Sequence, residues 1–224
     1  MKRISFLSLL VAISLLSFNG CEKKYSPKEN GYENGYQYIE LGLSVKWATF
    51  NVGATKPEEY GGYYAWGETV TKSNYSMSNY KWFDHGLTKY CNDRSYGKDG
   101  FTDNKTTLDP EDDVAHVKWG GSWRIPTKEE WEELQNKCTW SWTKINHVEG
   151  YLVTSKKYGY TDRSIFLPYA GYQRSEAGLS SVGDDGLYWS SSLNTFDPYD
   201  AWYPVNNISG IGRDDGLSVR PVCP

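Results

Sequence analysis

Cysteine and histidine are scarce in this chain of 224 residues, which has four of the first and three of the second. Four cysteines are too few for a disulfide-stapled scaffold. His85, His116 and His147 stand apart from one another and from cysteine, so no sequence spacing marks a metal centre. Basic charge is also short. Lys and Arg number 24 against 28 Asp and Glu, a formal net charge of −4, and no basic run is longer than a pair. A nucleic-acid binder needs the opposite balance or a basic stripe, so that class is excluded. Long apolar runs are missing after Leu16. Aliphatic residues are few as well: beyond residue 20, 28 Ile, Leu and Val stand against 34 Phe, Trp and Tyr. Most of the area available for burial is therefore carried by amphipathic rings. That skew argues against a helix bundle and for a loop-rich, β-rich domain whose indole and phenol groups need hydrogen-bond partners.

What is present begins with a leader. Lys2-Arg3 is a charged start and Ile4 to Leu16 an apolar run too short to span a bilayer as a mature helix. The following Leu16-Ser17-Phe18-Asn19-Gly20-Cys21 resembles the lipobox of bacterial lipoproteins, with Cys21 as the lipidated residue. Residues 1–21 are read as leader and lipobox, 22–35 as a polar flexible linker, and 36–224 as the folded domain. Acyl chains on Cys21 would make the domain peripheral to a membrane. Cys91, Cys138 and Cys223 then remain, which allows one disulfide in any of three pairings and one free thiol.

Tyr36–Leu41, Val45–Val52 and the aromatic segment Gly61–Gly67 read as short strands punctuated by glycine. Thr69–Asp113 is polar, with scattered rings and no period, and reads as irregular. Thr127 and Glu130 stand at capping-box spacing, so a helix is expected over Lys128–Lys137. Trp131, Leu134 and Cys138 form its apolar stripe, and the pairs Lys128 with Glu132 and Glu133 with Lys137 lie on its wet side. Glu129, Glu130, Glu132 and Glu133 are accordingly read as a capped, solvated helix face and not as catalytic carboxylates. Strands are expected at Gly150–Lys156, Ser164–Gln173, Gly186–Ser192, Asp200–Asn207 and Gly216–Val222. The pattern predicts an α+β domain, mostly antiparallel, with long connections.

Trp123-Arg124-Ile125-Pro126-Thr127 with Glu130-Trp131 is similar to the Arg-apolar-Pro-Thr-x-x-Glu-Trp signature of the formylglycine-generating enzyme superfamily. More closely, the chain resembles the Fibrobacter succinogenes major paralogous domain, a family abundant in lipoproteins of Bacteroidetes. The residues that carry this likeness are Gly62–Glu68, Leu87–Cys91, Asp112–His116, Trp119–Thr127, Cys138–Trp142, Tyr188–Ser192 and Gly216–Pro221. The resemblance implies a C-type-lectin-like fold of the formylglycine-generating subtype. In such a fold the first and last strands pair near the termini, helices flank the sheet and long loops form a ligand surface. It also implies a disulfide between Cys138 and Cys223. With the lipobox, it places the chain in the cell envelope as an outer-membrane lipoprotein, facing either the surface or the periplasm.

The enzymes of that superfamily use two late cysteines and, in current understanding, copper. Here the late region has no cysteine before Cys223, so the thiolate pair that Cu(I) requires is missing and the oxidase reading loses its ligands. Ser190-Ser191-Ser192 lacks the glycine-flanked elbow of a serine hydrolase. Asp184-Asp185 and Asp214-Asp215 read as acidic turn residues, since their spacing is not that of a calcium loop. No catalytic residue, metal or cofactor is expected.

The late region Tyr188–Asp215 mixes rigid rings with Asn, Ser and Gly, a paratope-like composition. Trp189 and Trp202 are read as core. Trp202 and Tyr203 have opposite parity, so one of the two should face out. Tyr199, Tyr203, Asn206, Asn207, Arg213 and Asp214 are the expected contacts. The expectation is a non-enzymatic adhesin or lectin-like module that binds a glycan or protein ligand. The alternative is a structural or assembly subunit that packs on a protein partner.

Overall fold

Thr127 opens the longest helix among the described residues. Its hydroxyl accepts from the Glu130 amide at 3.3 Å while the Glu130 carboxylate accepts from the Thr127 amide at 2.8 Å, a complete capping box. The computed structural model in which this is seen describes residues 31–175, 178–205 and 207–224. The expected leader, Cys21 and the linker as far as residue 30 lie outside the described residues, as do Asn206 and residues 176–177.

Among the described residues the order is β1 (Gly31–Glu33), β2 (Tyr36–Ile39), β3 (Lys46–Ala48), α1 (Val114–Trp119), α2 (Lys128–Lys137), β4 (Cys138–Ile145), β5 (Val148–Ser155), β6 (Ser164–Pro168), β7 (Tyr172–Arg174), β8 (Gly178–Ser180), β9 (Asp200–Val205), β10 (Asn207–Gly212) and β11 (Val222–Cys223). The sheets are β1-β2-β3-β11, β4-β5-β6, β7-β8 and β9-β10, and every strand pairing is antiparallel. This is an α+β architecture dominated by antiparallel strands. β11 pairs with β3, so the last strand joins the first sheet.

Several expectations need correction. β1 lies inside the segment read as linker, because it finds a hairpin partner in β2 and Glu33 accepts from the Ser122 amide at 2.9 Å. β4 was not expected; it follows α2 without a loop, since Cys138 is both the helix C-cap and the first residue of the strand. α1 was not expected either. The Asp113 carboxylate makes it by accepting from the amides of Ala115 and His116. Residues 200–212 form a hairpin, β9 and β10, where one strand was expected. Gly186–Ser192 and Gly216–Val222 are held largely by isolated bridges, such as Tyr188 to Ser218 and Tyr64 to Leu217, with only the last residue of the second run in a strand.

Rings dominate the interior, and their polar atoms find carbonyls. The indole N–H groups of Trp66, Trp123 and Trp189 donate to the backbone oxygens of Ser190, Glu33 and Tyr64 at 2.8, 2.7 and 2.6 Å. Tyr80 and Tyr188 hydroxyls donate to Trp66 and Pro168 oxygens, each at 2.7 Å. These bonds tie distant segments together while satisfying groups whose isolation would be costly. The Trp47 indole nitrogen is an exception, buried without a hydrogen-bond partner among the described residues. The region read as irregular has only short 3-10 turns, yet it is pinned by Tyr75, Tyr80 and Tyr90, all buried.

The core divides into two large clusters. One gathers Trp66, Trp119, Trp123, Trp189 and Cys223; the other gathers Trp47, Trp131, Leu134, Tyr188 and Cys138. The apolar stripe of α2 is buried as its spacing predicts. The pairing of Cys138 with Cys223 is not present: Cys91, Cys138 and Cys223 are all free and buried. Cys138 sits opposite Ser155 in the β4–β5 ladder and Cys223 opposite Lys46 at β3, in different clusters.

Candidate functional site

The late region does come together, but not with the residues that parity and composition selected. Arg213 is fully buried. Its Nε donates to the Tyr80 hydroxyl at 3.0 Å, Nη1 to the oxygens of Tyr90 and Pro198 at 3.0 and 2.9 Å, and Nη2 to the oxygen of Lys89 at 3.1 Å. Its guanidinium also lies 4.8 Å from the Trp66 ring centroid and 5.2 Å from that of Tyr80. A buried cation is tolerable only when so fully satisfied, and that satisfaction makes Arg213 a clamp between segment 80–90 and the late loops. It is not a surface contact.

Asp214 is half-buried beside the buried Asp215, and burial, followed by the Asp215 charge, raises its pKa. Asp215 is held by Arg174, whose Nη2 donates at 2.7 Å. Tyr203 is half-buried against the first core cluster. Trp202 is half-buried too, under the Lys128 ammonium at 4.5 Å, so neither ring is simply in or out. Strand parity fails here because both faces of β9 have neighbours: Trp202 meets Lys128 of α2, and Tyr203 packs on the first core cluster. Trp189 is core, as expected. The main chain of Asn207 is in β10, while Asn206 lies outside the described residues.

Tyr199 is the expected contact that a site forms around. Its ring meets Tyr96 edge-on at 5.0 Å and Phe83 at 6.2 Å between centroids. All three rings are half-buried, and nearby in sequence Phe196 is 87 % exposed. Local turns set this geometry: Asp197 Oδ1 accepts from the Tyr199 amide at 3.1 Å, and Asn194 Oδ1 accepts from the Phe196 amide at 3.1 Å. Asn92 Nδ2 donates to the Thr195 oxygen at 3.0 Å and ties the loop to the irregular segment. Phe83 and Tyr96 come from the region that periodicity dismissed. No short-range signal marks them, since their partner is about a hundred residues away.

Carboxylates lie around Tyr96. Asp197 first, then burial and Asp93, raise the pKa of Tyr96. Burial, with Asp197, Asp215 and Asp214 adding to it, pushes Asp200 up to about 6. Gly210 pairs with Trp202 in the β9–β10 ladder, and a Cβ on it would come within 2.7 Å of both Asn194 Nδ2 and Asp200 Oδ2. Flat half-exposed rings beside carboxylates suit a neutral, hydroxyl-rich ligand or a cationic one and repel an anion.

The other candidates carry less. The thiols of Cys138 and Cys223 are each pushed up to about 11 by burial, which keeps them protonated and weakly nucleophilic at neutral pH. No cluster of three or more His, Cys, Asp or Glu able to hold a metal ion occurs among the described residues. Ser190 and Ser191 are buried, and their hydroxyls face backbone oxygens. Glu130 is taken up by the capping box and by Arg124, and Glu133 by the amide of Ser44 at 3.0 Å. A groove of about 480 Å³ is lined by Gly42, Glu133, Lys137, Lys156 and Lys157 among others, but Lys157 Nζ is already bonded to the Gly42 oxygen. Family models, curated proteins and solved structures give no match to this chain.

Proposed function

We propose that this chain is a non-enzymatic ligand-binding module of lectin-like fold, held at the bacterial cell envelope by lipid on Cys21. The observation that carries the reading is the ring group Phe83, Tyr96 and Tyr199, with Phe196 exposed beside it and Asp93, Asp197 and Asp200 around it. Rings supply contact area at low entropy cost, and carboxylates accept hydrogen bonds from hydroxyl groups. The ligand class is a neutral glycan. The family signature supports the architecture and not a reaction: Trp123 and Trp131 are buried, Arg124 and Glu130 pair at 2.5 Å, and Thr127 caps a helix. Buried, separated thiols support the non-enzymatic reading.

A neutral glycan array on the full-length protein, followed by calorimetry, tests this. Each of Tyr199→Ala and Tyr96→Ala should weaken binding by about two- to tenfold, the loss expected for one aromatic contact. Binding unchanged in both variants, or binding confined to acidic glycans, sinks the reading. Radiolabelled fatty acid should enter the protein and fail to enter Cys21→Ser, and protease shaving of intact cells reports which side of the outer membrane carries the domain. Assembly with a protein is the second reading, and β4 favours it on separate grounds.

A further inference from the structure

β4 pairs residue for residue with β5, from Cys138 with Ser155 to Ile145 with Val148, and no bulge interrupts the ladder. Its other edge pairs with no strand among the described residues. The two-residue turn Asn146-His147 has both residues at positive φ, so Ile145 and Val148 are the closing hydrogen-bonded pair. By alternation, Thr139, Ser141 and Thr143 direct their main-chain groups to β5, whereas Trp140 and Trp142 direct theirs outward. Natural edges are guarded by brevity, by a bulge, by proline or by an edge lysine. Residues 139–143 have none of these, and Lys144 beyond them is paired with Glu149 at 2.7 Å. The edge is also open: Thr139 and Ser141 are exposed, and Trp142 is 58 % exposed.

This unguarded stretch reads Thr139-Trp140-Ser141-Trp142-Thr143, the same in both directions about Ser141. We propose that a second copy of this chain pairs here, strand β4 against strand β4, antiparallel, with the two-fold axis at Ser141. Trp140 then stands opposite the partner's Trp142 and exchanges both main-chain hydrogen bonds with it, and the symmetric pair does the same. Four indoles line one face of the joined six-stranded sheet. On the other face Thr139 meets the partner's Thr143, and the two Ser141 side chains meet at the axis. Aromatic and threonine cross-strand pairs are favourable. Lys144 falls opposite the partner's Cys138, so no like charges are directly opposed. Any extended peptide could satisfy the edge's main chain, but a copy of the same strand matches its side chains on both faces at once. Five residues a side is a small contact, so the dimer dissociates on dilution.

Two measurements on the full-length protein decide it. Sedimentation equilibrium should show a monomer–dimer equilibrium, and Trp142→Lys, which places a charge on an exposed edge without disturbing the core, should raise the dissociation constant at least about tenfold. Mild oxidation should cross-link Ser141→Cys, because opposite residues in a non-hydrogen-bonded pair have Cα atoms about 4.5 Å apart, within disulfide reach. Thr139→Cys alone should stay monomeric on a non-reducing gel, and Thr139→Cys combined with Thr143→Cys should cross-link. A monomer at every concentration with Ser141→Cys no more cross-linked than the parent overturns the proposal. So does a dimer indifferent to Trp142→Lys, or Thr139→Cys linking as readily as Ser141→Cys. A monomer whose Trp142 fluorescence shifts on adding an unrelated extended peptide overturns the second copy as the occupant.

Discussion

Arg213 and Tyr199 were selected by the same composition and ended in opposite places. An arginine in a loop-rich, polar segment looks exposed because a cation prefers water. Here three carbonyls and a phenol replace that water, and the rings of Trp66 and Tyr80 flank the charge. None of these partners is near Arg213 in sequence except Pro198, so the outcome was not legible. Arg213→Ala leaves four buried acceptors without their donor and opens a cavity, and should cost on the order of 3 kcal/mol or more in urea unfolding. Arg213→Lys should recover only part of this, because an ammonium lacks the planar fork that reaches acceptors on several sides. Equal stability of the parent and both variants would contradict the clamp. Tyr199 kept a half-exposed ring because its turn, Asp197 to Asp200, is fixed by its own side-chain bonds and by the Asp200 amide donating to the Asp197 oxygen at 2.9 Å.

Among the elements, α2 was the most legible because its information is local. Capping box, apolar stripe and the Lys128–Glu132 pair lie within twelve residues, and the structure has all three. The second expected pair, Glu133 with Lys137, gave way to Glu133 accepting from Ser44, a contact that only tertiary packing brings about. Glu130 performs two tasks, accepting the Thr127 amide and forming a two-pronged pair with Arg124 at 2.7 and 2.5 Å. Thr127→Ala should therefore cost about 1 kcal/mol, the usual loss of a cap. Glu130→Ala should cost more than Thr127→Ala in the same thermal melt, since it also strands Arg124; the reverse order would show that the ion pair adds nothing. The β9–β10 hairpin was missed because no Asn-Gly or Asp-Gly turn announces it. β4 was missed because a strand that starts at a helix C-cap leaves no breaker between the two.

Across the whole molecule, buried carboxylates set the response to pH. Burial raises Asp113 from 3.8 to about 6 although three amides donate to it, and Asp200 likewise rises from 3.8 to about 6. A raised carboxyl binds its proton more tightly in the folded chain than in the unfolded one between those two values. Stability must therefore fall as pH rises through about 4 to 6 at these sites, and increase on acidification from neutral toward pH 5. Asp112 works the other way. Burial pushes it up, but hydrogen bonds from Lys89, Tyr90 and Lys81 outweigh burial and hold it below its ordinary value of 3.8. Its contribution is lost only in stronger acid. The expected profile of melting temperature against pH has a maximum on the acid side of neutral, and Asp200→Asn should flatten the slope between pH 5 and pH 7. A parent that melts lower at pH 5 than at pH 7 would contradict this assignment. By itself the sequence determined the α+β class, the helix Lys128–Lys137, the ring-rich core with its need for carbonyl partners, and the late region as a place where rings and turns gather. Those are properties of residues and their near neighbours, which the chain carries in its spacing. Tertiary structure alone decided that Arg213 goes inside while Phe83 and Tyr96 join Tyr199, that Cys138 and Cys223 stay apart, and that β4 is an edge, because each depends on contacts between segments that local propensity cannot see.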